Sequence, residues 1–249
     1  MKIFKISVVA LCITFAIGFV ITATIIIKQS MIDIMINDNV NSLAHNVKYR
    51  TPVNIEGVPV IKQEISGGYA CIEMLSEYLS GGSSEITEKV LYEKNGSRIS
   101  TSTNDGLLNE IKKQFPDHTV TQYKNLKNIE LIDKIYDSLS NGMPVIFLFA
   151  SLDITAAEDK TEDAQDFPDW SLHCGIAVGM DIPGGEIKVI NPYGYAETYN
   201  PNNFLRATRF ESYENMEFYL KLGFAAEIFT KNTIYILGEK TGEANEMIN

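Results

Sequence analysis

In Ser171-Leu172-His173-Cys174-Gly175-Ile176-Ala177-Val178-Gly179-Met180-Asp181, Ser171 to Met180 reads as a strand with a histidine near its start and a glycine near its end. Eight residues on, Val189-Ile190-Asn191-Pro192-Tyr193-Gly194 ends a second strand, Glu186 to Ile190, in a turn. Upstream, Val145-Ile146-Phe147-Leu148-Phe149 is short, apolar and rich in β-formers, the pattern of a buried strand, and Thr233 to Leu237 supplies another. The first half of the soluble part reads differently. Cys71 to Leu79, Glu85 to Lys94, Leu107 to Phe115 and Ile129 to Leu139 carry helical periodicity, and Gly142 and Pro144 end the last of them. Helices followed by an antiparallel sheet predict an α+β fold.

The chain has 249 residues, with 21 Lys and Arg against 32 Asp and Glu, a formal net charge of −11. Nucleic-acid binding is excluded as an expectation, because phosphate contacts need clustered basic side chains. A hydrophobic fraction of 45% supports a packed core rather than a disordered chain. Three Cys and three His, without repeated ligand spacing, predict neither a disulfide framework nor a structural zinc site. No cofactor is expected. The acidic stretch from Asp153 to Asp169 lacks the Asp-x-Asp-x-Asp-Gly spacing of a calcium loop and reads as a solvated surface loop.

Ile6 to Ile27 is uncharged over 22 residues. At about 1.5 Å per residue it reaches about 33 Å, enough to cross a bilayer. It is longer than the apolar part of a cleaved signal peptide and has no convincing cleavage site, so a single-pass signal anchor in the lipid bilayer is expected. Lys2 and Lys5 favour a cytoplasmic N-terminus and an extracytoplasmic C-terminal body, although Lys28, Lys48 and Arg50 weaken the bias. Ile32, Ile36, Val40, Leu43 and Val47 continue as an apolar helical stripe. The expected organisation is an anchor over 1–28, an amphipathic stalk over 29–50, one domain over 51–240 and a frayed tail over 241–249.

Three features have the order of a thiol active site. Gln63-Glu-Ile-Ser-Gly67-Gly68-Tyr-Ala-Cys71 precedes a helix expected to start near Cys71; His173 and Asn191 follow. A helix N-terminus and a nearby imidazolium both favour a thiolate. His173 is placed as base and then acid, Asn191 as the group that orients its ring, and the Gln63 amide with the Cys71 N–H as oxyanion donors. Strand alternation puts Cys174 on the opposite face from His173, in the core. A Cys71–Cys174 disulfide is the competing use of the two thiols. Taken singly, each residue has a structural reading: a buried thiol, a strand histidine, an Asn-Pro turn, a surface glutamine.

These segments resemble the papain-like clan of cysteine peptidases, and within it the bacteriocin-processing (double-glycine) peptidases and their stand-alone relatives. His173 to Asp181 matches the family's His-x-x-x-x-x-Gly-x-Asp strand, and Asn191-Pro192 matches its Asp/Asn-Pro. The resemblance spans roughly Val58 to Leu237 and implies a papain-like fold with Cys71, His173, Asn191 and Gln63 as catalytic residues. The family's Cys-Gly-Pro-Ala-x-Leu-x-Met pattern can be set two ways. Aligning Gly68-Tyr69-Ala70 and Met74 puts Gly67 at the nucleophile position; placing Cys71 there keeps the thiol. The second register implies a membrane-anchored peptidase that hydrolyses a peptide or protein substrate through a thioester acyl-enzyme. The first implies an inactive papain-like module that binds peptides or a partner at the membrane surface. Acyl transfer by the same triad is a third expectation.

Overall fold

The computed structural model describes residues 2–96, 106–150, 172–210 and 230–240. The acidic stretch Asp153–Asp169 and the tail after Lys240 lie outside them. In chain order the elements are α1 (Lys2–Ala44), a 3₁₀ turn (Val47–Tyr49), β1 (Val53–Asn54), α2 (Gly67–Ser80), α3 (Glu88–Asn95) and α4 (Gly106–Gln114). Then come β2 (His118–Tyr123), α5 (Asn128–Ser140), β3 (Val145–Ala150), β4 (Leu172–Asp181), β5 (Glu186–Asn191), β6 (Tyr195–Tyr199), α6 (Pro201–Arg209) and β7 (Ile234–Lys240). The chain divides into two units, Met1–Asp38 and Asn39–Asn249.

The first unit is helical. Within Phe15–Ala44 an 18-residue window reaches a mean hydropathy of 1.8, and among the described residues this is the one helix long and apolar enough to cross a membrane by length and composition. Phe15, Phe19 and Ile27 are exposed, as side chains meant for lipid would be. Further along the stripe, in the second unit, Leu43 is buried and Val47 exposed, so the apolar periodicity ends where the helix does.

The second unit is α+β, with a helical N-terminal part and an antiparallel sheet ordered β2-β7-β3-β4-β5-β6, β1 pairing with the outer part of β4. Each strand pair is antiparallel. The sheet sorts its side chains by alternation. Ile146, Leu148 and Ala150 of β3 and Cys174, Ile176 and Val178 of β4 join one core with Tyr69, Cys71, Ile72, Met74 and Leu75 of α2. The alternate residues of β3, Phe147 and Phe149, lie on the other face, where Phe147 packs against Phe204 of α6 at 5.0 Å between centroids. Gly179, the motif glycine of β4, sits where a Cβ would come within 2.9 Å of Asn54 Oδ1 and 3.2 Å of the Lys188 side chain. The motif Asp181 accepts the Gly184 N–H at 2.8 Å and so shapes the β4–β5 turn. Both are fold residues.

Helix α2 starts at Gly67, four residues before the expected start. Its cap, Ser66, is extended and makes no side-chain cap bond. The N–H groups just before the helix are held from outside instead. The buried Glu88 carboxylate accepts from Glu64 N at 2.7 Å, from Ile65 N at 2.8 Å and from Ser66 N. Gly81, at φ +65°, closes the helix in a left-handed conformation. Three further elements depart from the expected helices-then-sheet order. Strand β2 lies between α4 and α5, and β6 and α6 lie between β5 and β7.

Candidate functional site

Strand β4 presents His173 at its first turn of pairing, opposite Phe149 of β3. The imidazole is held on three sides. Its Nε2 lies 3.3 Å from Asn191 Oδ1, Phe149 meets it edge-on with centroids 5.3 Å apart, and Tyr193 stacks on it at 4.3 Å with planes 11° apart. Asn191 is itself fixed at the end of β5. Its Oδ1 accepts the Tyr193 N–H at 3.0 Å and its Nδ2 donates to Glu197 Oε1 at 2.8 Å. That orientation leaves only an acceptor toward the histidine. Nε2 must therefore carry the ring proton, and Nδ1 keeps its lone pair.

Nδ1 points at the head of α2. A Cβ on Gly67 would lie 2.6 Å from His173 Cε1, 3.0 Å from Nδ1 and 2.8 Å from Gln63 Oε1. Gln63 is brought there by its backbone, whose N–H donates to Pro192 O at 2.6 Å and joins the loop before α2 to the Asn-Pro turn. Among the described residues the buried Gln63 Oε1 atom has no hydrogen-bond partner. Gln63 and His173 thus converge on one point, with Asn191 behind the imidazole, and the residue at that point is Gly67.

Cys71 is elsewhere. It lies one helical turn deeper, fully buried, with its Sγ 3.6 Å from Cys174 Sγ. Cys174 belongs to the face of β4 opposite His173, so the thiol expected as nucleophile faces the core. Burial pushes the Cys71 pKa up, and the contact with Cys174 adds to the rise. That is the reverse of what a nucleophilic thiolate needs. His173 is neutral: burial lowers its pKa to about 4, against a smaller upward pull from Asn191. Glu197 is raised by burial, with the hydrogen bond from Asn191 opposing. Among the described residues no cluster of three or more His, Cys, Asp or Glu could hold a metal ion.

Three contributors escaped the sequence reading. Tyr193 lies two residues after Asn191 in the turn and Glu197 six residues after it on β6, and the turn and β5–β6 register that bring them round it are the missing signal. Glu88 is distant in sequence and carried no local signal at all.

No family model matches the sequence, and no curated protein matches it. Among solved structures the fold is similar to that of a protein from Bacillus anthracis, whose assignment as a C39-like peptidase is itself provisional. The two share 14% identity with a TM-score of 0.48, over 77% of this chain and 100% of the other.

Proposed function

We propose that this chain is a papain-like module, anchored in a membrane by its N-terminal helix, that binds a peptide or protein partner without cleaving it. One observation carries the reading. Gly67, which has no side chain, occupies the head of α2 where His173 Nδ1 and Gln63 converge. A cysteine peptidase needs its thiol at that point, because only there can the imidazole take the proton and the helix terminus stabilise the thiolate. Cys71 in the core, with a raised pKa, is a structural thiol. The rest of the constellation is kept: an aromatic wall in Tyr193, a hydrogen-bond acceptor in His173 Nδ1, and a buried amide in Gln63. These suit recognition of a polypeptide segment, with Tyr193 as the anchor.

The test uses the full chain in detergent micelles and a mixed peptide pool read by mass spectrometry. The expected result is no cleavage from the wild type or from Cys71→Ser. Peptides retained on the immobilised chain are expected to be lost about tenfold with Tyr193→Ala, the scale of a central aromatic anchor. One observation favours the peptidase reading: the His173–Asn191 pair is complete as a proton-handling unit. Cleavage that disappears in Cys71→Ser would establish that reading and overturn the binding module.

A further inference from the structure

We infer that Cys71 and Cys174 form a disulfide when the chain folds outside the cytoplasm, joining α2 to β4 beneath the candidate site. This rests on the extracytoplasmic orientation for its oxidising surroundings, but its geometry does not. The sulfurs are already 3.6 Å apart, and a bond at about 2.05 Å requires a further approach of about 1.5 Å. The two residues are separated by 103 positions, so closing the loop between them restricts the unfolded chain strongly. No catalytic duty competes for either thiol, because Cys71 faces the core and Cys174 the α2 side of β4.

The chemistry is thiol–disulfide exchange with an external disulfide as oxidant. One thiolate attacks a sulfur of that disulfide and releases the first carrier thiol. The second attacks the mixed disulfide and releases the other, so two protein thiols are oxidised and one carrier disulfide is reduced to two thiols. Cys71 and Cys174 are 0% and 1% exposed, so the exchange belongs to the stage before α2 docks on the sheet. The consequence is local. Cys71 lies one turn below Gly67, and Cys174 is next to His173. A bond there fixes the spacing between the two walls of the site.

The experiment reduces and unfolds the full chain in detergent, then refolds it with oxidised glutathione. Denaturation with N-ethylmaleimide then counts free thiols by intact mass. One adduct, on Cys12, is expected. Three adducts overturn the inference whatever the compartment, as does an adduct count unchanged from refolding without glutathione. Added to reduced protein already folded, glutathione is expected to act at least about 100-fold more slowly, as burial demands. The oxidised chain should melt about 10 °C higher than the reduced one, a difference absent in Cys71→Ala/Cys174→Ala. Quenched chain taken directly from membranes is the second arm. Three adducts there, with one adduct after refolding, would place the fault in the extracytoplasmic orientation and leave the bond-forming geometry and the binding reading standing; one adduct supports both.

Discussion

Gly67 is where a methyl group has no room. A Cβ would meet His173 Cε1 at 2.6 Å and Gln63 Oε1 at 2.8 Å. Gly67→Ala should cost about 1–3 kcal/mol despite the better helix propensity of alanine. In a His173→Ala background the penalty should shrink by about 1 kcal/mol, a coupling that denaturant midpoints of the four proteins measure. Equal costs in both backgrounds would mean that the two residues do not touch. His173 also sets a pH dependence. The unfolded chain titrates near about 6.5 and the folded imidazole near about 4. Between those values the unfolded state holds the extra proton, so stability is complete above the window and lost as pH falls through it, by about 3 kcal/mol in all. The raised carboxyl of Glu197 acts in the opposite sense, its contribution falling as pH rises, so the quantity to follow is wild type minus His173→Gln. A difference that stays flat from pH 7 to 4 would refute the buried neutral imidazole. Spacing in the sequence made His173, Asn191 and Gln63 legible as a group. It did not reveal which residue faced them, because two registers four positions apart share a helix face.

That ambiguity belongs to the element scale, where the start of α2 decides the site. Gly67 and Gly68 read as helix breakers, and local propensity alone puts the start near Cys71. Tertiary contacts override it: Glu88 takes up the N–H groups of residues 64–66, and the close approach of His173 tolerates only glycine. Glu88→Gln should therefore destabilise the second unit by about 2–4 kcal/mol, since buried N–H groups lose a charged acceptor. Amide exchange at 64–66 should quicken at least about 100-fold while β3 stays protected; uniform quickening would indicate global rather than local loosening. The four expected helices and four expected strands all exist, because their apolar periodicity is strong. Strand β6, by contrast, alternates between half-buried and exposed positions at the sheet edge up to the buried Tyr199, and α6 is short and polar on its outer face. The identity of β6 comes from pairing with β5, which no local window contains, whereas α6 carries a local start signal in the Asn200 cap and Pro201.

At the scale of the whole molecule, the N-terminal helix and the α+β unit make separable demands. If the helix anchors the chain, the full-length protein should stay in the pellet after alkaline carbonate extraction, and removal of residues 2–28 should release it. Release of the full chain would end the anchoring proposal. Protease added to intact cells should remove the body and spare the helix if the body is extracytoplasmic. Within the second unit, the 3₁₀ turn is fastened to α5 by Lys48, which pairs with Asp133 at 3.0 Å and Asp137 at 2.7 Å. These side chains are substantially exposed, so Lys48→Ala should change stability by no more than about 1 kcal/mol.

The glycine at the head of α2 has a genetic consequence. A pyrimidine-ending glycine codon becomes a cysteine codon by a single base change. Such a mutation would place a thiol beside an imidazole already oriented and already holding a free lone pair. What stands between the two phenotypes is then His173 itself, whose ring has settled into the space that the new side chain would need. Gaining the thiol would require, from such a codon, one substitution in the gene and a retreat of the ring from 2.6 Å to ordinary contact at 3.4 Å or more in the protein.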